Sequence, residues 1–185
     1  MSLLSTEKWR ICAYFTKYEQ KIFITGASGS GKTTTIKNIE KDKMLDVAFC
    51  YFDSVGVPKK EEMEKQYGSG ENWQKATTSF WIKEIKEKYL NKKSTILDGQ
   101  MRLSFIIDAC KENNLTNYEI ILFDCDDEVR NKRLITRGHP ELVNSDMINW
   151  AKYLRDEAEN LNAKIVDTTN LSEEESMREL CFLIN

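Results

Sequence analysis

The sequence predicts an α/β protein of three layers, α/β/α, with a five-stranded parallel sheet between two sets of helices. Three observations predict it. Five short apolar runs recur along the chain, helical-looking stretches separate them, and 185 residues at 41% hydrophobic content are enough to bury a core without disulfides. Apolar runs this short, alternating with helices, are strands covered on both faces, as a parallel sheet requires.

The elements follow in order. Residues 1–20 place Leu4, Ile11, Cys12, Phe15 and Tyr18 at approximate helical spacing and read as an N-terminal helical extension. The domain proper spans 21–185. Its strands are "KIFIT", "DVAFCYF", "STILD", "YEIILFD" and "AKIVD"; its helices are 32–41, 59–67, 71–90, 101–113, 126–137, 145–161 and 172–183. Mixed-sign clusters such as "IKEIKEKY" are solvated helix faces. Right-handed crossovers put every strand's carboxyl end on one edge of such a sheet, where ligands bind. Gly26 onward, Asp53, Asp98, Asp124 and Asp167 stand at those ends.

Composition excludes several classes. The net charge of −3 and the lack of a basic run argue against a nucleic-acid surface. No apolar stretch approaches a membrane span, and no signal-peptide pattern opens the chain. Five scattered cysteines without a CxxC pair read as reduced thiols of a cytoplasmic protein, not as a zinc site.

The chemistry begins at "GASGSGKT", residues 26–33, between the first strand and the first helix. Glycines let successive backbone N–H groups face a polyphosphate, and the following helix adds its N-terminal dipole. Gly26, Ala27, Ser28, Gly29, Ser30, Gly31, Lys32, Thr33 and Thr34 are therefore the expected nucleotide-binding set. Lys32 supplies a cation for the outer phosphates and Thr33 a hydroxyl for Mg²⁺. Switch GTPases need an NKxD stretch, and the two Asn-Lys pairs here lack its Asp. Motor ATPases carry a strand ending in Asp-Glu, and "STILDGQ" and "IILFDCD" lack the Glu. "ILDGQMR" instead places Asp98 at a strand end with Arg102 four residues on. "RLITR" sets Arg133 and Arg137 one helical turn apart on one face. Phosphoryl transfer calls for such cations beside a metal.

On these stretches the chain from residue 21 resembles the P-loop small-molecule and nucleoside-monophosphate kinases, the group of adenylate, shikimate and gluconate kinases. "GSGENWQ", "DGQMR" and "NWAKYLR" look closer still to a bacterial group of AAA-labelled P-loop proteins. The resemblance implies a P-loop NTPase fold with strand order 2-3-1-4-5, ATP and Mg²⁺ as donor and metal, and a metal shell of Thr33 and Asp98. It implies Arg102 on the acceptor, and Arg133 and Arg137 on the adenine and the transferred phosphate. "VDTTNLSEEE" resembles the loop that backs the adenine, which sets Asn170 beside the base. Asp146 and Arg155 are similar in spacing to a lid Asp and a phosphate-binding Arg. Two departures stand out: no Thr-Gly follows the second strand, and the lid candidate, about 138–145, is short. A small acceptor therefore fits better than a nucleotide.

Asp53 is the expected base or orienter of the acceptor hydroxyl, and a turn-forming Asp is its alternative reading. The catalytic set is then Lys32, Asp53, Arg133 and Arg137. The region about 58–92 covers the acceptor, with Trp73, Gln100, Arg102 and Arg155 as contacts beside Asp53. His139 reads as a loop residue, and Asp126, Asp127 and Glu128 as helix-capping acids. The expected activity is transfer of the ATP γ-phosphoryl group to a small molecule. A nucleotide-dependent regulatory protein and a nucleic-acid end kinase are the alternatives.

Overall fold

The computed structural model describes residues 20–89 and 94–184. The expected helical extension at 1–20 lies outside them, save for Gln20. The first strand, β1 (Lys21–Thr25), leads through the glycine-rich loop into α1 (Lys32–Lys41), and then come β2 (Ala48–Tyr51) and a 3-10 turn at Phe52–Val55. Helices α2 (Lys60–Tyr67) and α3 (Gly70–Tyr89) precede β3 (Thr95–Asp98), α4 (Leu103–Glu112) and β4 (Tyr118–Asp124). The rest is α5 (Asp127–Thr136), a 3-10 turn at Pro140–Leu142, α6 (Ser145–Asn160), β5 (Lys164–Asp167) and α7 (Glu173–Leu183).

The strands form one sheet in the order β2-β3-β1-β4-β5, parallel throughout. β1 lies at its centre and is buried along its whole length. Period-two alternation splits it: Ile22 and Ile24 pack with Ile36 of α1 and Leu180 of α7. Phe23 packs with Ile85 of α3, Ile106 of α4 and Leu154 of α6. These are the two helical layers. Cys50, Cys110, Cys125 and Cys181 are buried thiols.

Two of the boundaries that differ from expectation bear on the site. β2 stops at Tyr51 because Phe52 turns inward, its ring buried over Gly99. A Cβ on Gly99 would stand 2.4 Å from the Phe52 Cβ, so only glycine fits there. Helix α4 starts at Leu103, two residues late. The Thr25 hydroxyl donates to the Met101 carbonyl (2.6 Å) and accepts from the Met101 N–H (2.9 Å), holding this stretch extended. The N-terminus of α4 has no cap from its own sequence. The Glu157 carboxylate of α6 accepts from the Leu103 and Ser104 N–H groups at 2.7 and 3.1 Å instead.

Candidate nucleotide and acceptor site

The loop after β1 is shaped by glycine at two demanding places. Gly31 caps α1 with φ of 92°, a left-handed value. Gly29 has φ of 84°, and a Cβ there would lie 2.9 Å from the Arg130 Cγ. The loop is braced from below. Arg133 donates to the Gly29 carbonyl (3.3 Å) and to the Thr168 hydroxyl (2.8 Å), which in turn donates to the Ser30 carbonyl (2.8 Å).

Lys32 is buried at the head of α1, and burial lowers its pKa against the raising influence of Asp98 and Asp53. Asp98, at the end of β3, is pushed the other way, also chiefly by burial, with Lys32 and the Thr33 hydroxyl opposing. Thr33 Oγ1 donates to Asp98 Oδ2 at 2.6 Å. The buried Oδ1 has no hydrogen-bond partner among the described residues. An orphaned carboxylate oxygen beside a hydroxyl and a lysine suits a hard cation that takes most of its remaining ligands from phosphate and water, which is how Mg²⁺ is held. No group of three or more His, Cys, Asp or Glu able to hold a metal by itself occurs among the described residues.

A cavity of about 480 Å³ opens above this pair. Lys32, Thr33, Asp53, Asp98, Gln100 and Arg137 line it together with Ser28, Gly29 and Gly31 of the loop, so it gathers nine expected site residues. A second hollow, also about 480 Å³, shares Gly31 and Arg137 with the first. Thr34 and Arg133 lie on that side, with Val129 of α5 and Thr168, Thr169 and Leu171 after β5.

Other expected residues stand elsewhere. Asn170 is exposed and does not line the second hollow, although both its neighbours do. Trp73 sets its ring edge-on to Phe52, 5.8 Å between centroids, under the cavity wall. Arg155 donates to Asp124 Oδ2 and lines a separate small hollow with Asp126 and Asp167. It reaches neither main cavity, because its carboxylate partner holds it on the β4–β5 side. Arg102 is likewise withdrawn. Its guanidinium pairs with Glu71 (3.0 Å) and Gln74 (3.2 Å) and lies 5.2 Å from the ring centres of Phe105, Trp150 and Tyr153. The expected acceptor contacts of Arg102 and Arg155 thus give way to internal pairings. Asp146 is exposed in the first turn of α6.

Sequence reasoning also missed residues. Lys37, Tyr51, Ser54 and Leu142 line the first cavity, as does His139, which had read as a bare loop residue. Lys37 was legible in principle, four residues after Thr33 on the same helix face. Thr168 could have been found one step past the Asp that ends β5.

The fold and the phosphate loop together define a nucleotide-binding P-loop protein. The chain belongs to the AAA domain family, which it matches over residues 22–167. Solved structures with this fold include a gluconokinase from Sinorhizobium meliloti, 17% identical with TM-score 0.61, covering 90% of this chain and 92% of that one. A shikimate kinase from Bacteroides thetaiotaomicron is 17% identical with TM-score 0.59, covering 89% and 97%. A sugar kinase from Janibacter sp. is 16% identical with TM-score 0.55, covering 89% and 94%. A comparison with curated proteins found no match. No helix among the described residues is long and apolar enough to cross a membrane.

Proposed function

We propose that this protein is an ATP- and Mg²⁺-dependent kinase that phosphorylates a hydroxyl group of a small molecule. The observation that carries the reading is one cavity holding Lys32, the Thr33–Asp98 pair, Arg137 and, on its open side, the Asp53 carboxylate. The second hollow takes the nucleoside, with Arg133 beside it and the Thr168–Leu171 loop behind.

Thr33 and Asp98 would hold Mg²⁺, which supplies charge neutralisation at the outer phosphate oxygens. Lys32 and Arg137 place further positive charge on the transferring group. The acceptor oxygen bonds to the γ-phosphorus as the bond to the β–γ bridging oxygen breaks. ADP leaves, and the acceptor's proton passes to Asp53 or, through it, to water. Gln100 and Ser54 orient the acceptor around that hydroxyl. The buried thiols of Cys50, Cys110 and Cys125 fit a reducing compartment such as the cytoplasm.

The test is Lys32→Met in a Mg·ATP assay against pooled metabolites, with GTP run in parallel. Acceptor-dependent ADP formation should fall by about 10²–10³-fold while the variant stays folded. Equal ADP formation by variant and parent would overturn the reading. Tight ATP binding with no acceptor-stimulated turnover would favour a regulatory protein instead.

A further inference from the structure

We propose that the acceptor is an uncharged polyhydroxylated molecule, of sugar or polyol type, with no carboxylate or phosphate of its own. The inference rests on the kinase reading above and adds the acceptor's charge class.

An anionic acceptor needs a cation placed for it, best of all a guanidinium fork that meets two oxygens at once. The sequence supplies one in position, Arg102, and the structure spends it elsewhere. Glu71 already offsets its charge, Gln74 takes a further N–H, and the rings of Phe105, Trp150 and Tyr153 surround it. Its side chain is only 21% exposed, and it does not line the cavity. Freeing it would forfeit three cation–π contacts of about 0.5–1 kcal/mol or more each.

What remains on the acceptor side is polar and, on balance, hostile to a further anion. The exposed Asp53 carboxylate lines the same cavity as Asp98. With Asp98 given over to the metal, a carboxylate on the acceptor would still meet the negative charge of Asp53. Of the cavity's cations, Lys32 and Arg137 are committed to the donor phosphates, and Lys37 lies over the Tyr51 ring, 5.9 Å from its centre, within the field of Asp98. Gln100 faces the acceptor with an amide anchored at both ends. Its Nε2 donates to the Ser28 hydroxyl (3.1 Å) and its Oε1 accepts from the Trp150 indole (3.1 Å). That leaves one N–H and one lone pair, a donor and an acceptor set side by side as a hydroxyl pair wants.

The experiment measures ADP release by the full chain with Mg·ATP and matched acceptors. These are hexoses and hexitols, the corresponding aldonic and uronic acids, and the hexose monophosphates. Neutral members should exceed their acids in kcat/KM by about tenfold or more, the scale set by one unpaired charge. The preference should persist within about twofold in Arg102→Lys, which keeps the charge and loses the fork. Preferred transfer to an acid or a monophosphate, lost in Arg102→Lys, would overturn the inference and leave the kinase reading standing. Acceptor-dependent ADP from the metabolite pool but from no member of this panel would overturn the inference alone, and its absence from both, with ATP binding intact, would overturn both.

Discussion

Lys32 and Asp98 each bear a cost of burial that exceeds what the other returns, since desolvation is the foremost influence on both. The signs oppose. Asp98 has a folded pKa above its ordinary 3.8, so between those values the folded state holds more protons and stability falls as pH rises. Lys32 has a folded pKa below its ordinary 10.5, so the unfolded chain holds more protons there and stability rises with pH. Replacing both, as Lys32→Met/Asp98→Asn, should stabilise the nucleotide-free protein by about 1–4 kcal/mol and flatten both limbs. Urea denaturation across the pH range checks this, and a less stable double variant would refute it. The residues most legible in the sequence are these same ones, because a phosphate loop is a local motif whose chemistry is set by adjacent side chains. Asp98 could be read from a strand end and Lys32 from the loop motif, while Asp53 stands in the 3-10 turn just past β2.

Between elements, the interactions are long-range and were correspondingly hidden. The α4–α6 seam joins the Arg102 guanidinium to Trp150 and Tyr153, whose rings stack at 5.6 Å, and the α4 N-terminus to Glu157. Nothing in "DGQMR" or "NWAKYLR" alone says that one stretch closes on the other, and Arg102 therefore read as an acceptor contact. The same blindness applied to Arg155, whose partner Asp124 lies 31 residues earlier. Glu157 gives the seam a measurable strength. Glu157→Ala leaves two N–H groups of α4 without their carboxylate and should cost about 1–2 kcal/mol, seen as a lower urea midpoint with an unchanged slope. A midpoint within error of the parent would mean that water replaces the cap at no cost.

For the whole molecule, the order β2-β3-β1-β4-β5 was readable because short apolar runs alternate with helices and the motif names the family of topologies. Only the ends moved, where Phe52 and Met101 answer to tertiary contacts. A nucleotide that binds the folded form alone should raise the thermal midpoint. At about one hundred times its Kd, Mg·ATP contributes about 2.7 kcal/mol. That is a shift of roughly 5–11 °C for a chain of this size. Scanning calorimetry with and without Mg·ATP measures it, and Lys32→Met should lose most of the shift. An equal shift in that variant would place the nucleotide elsewhere.

Thr168 carries a consequence for how the protein comes into being. Its hydroxyl bonds the Ser30 carbonyl, and its side chain receives Arg133, so the loop encoded by residues 26–33 is braced by a residue made far later. At translation rates of roughly 5–20 residues per second, the interval between them is about seven to twenty-eight seconds. Throughout that time the nascent chain carries a finished phosphate-binding motif without its brace. The loop can take its braced shape only once Thr168 has been made and β5 has docked beside β4.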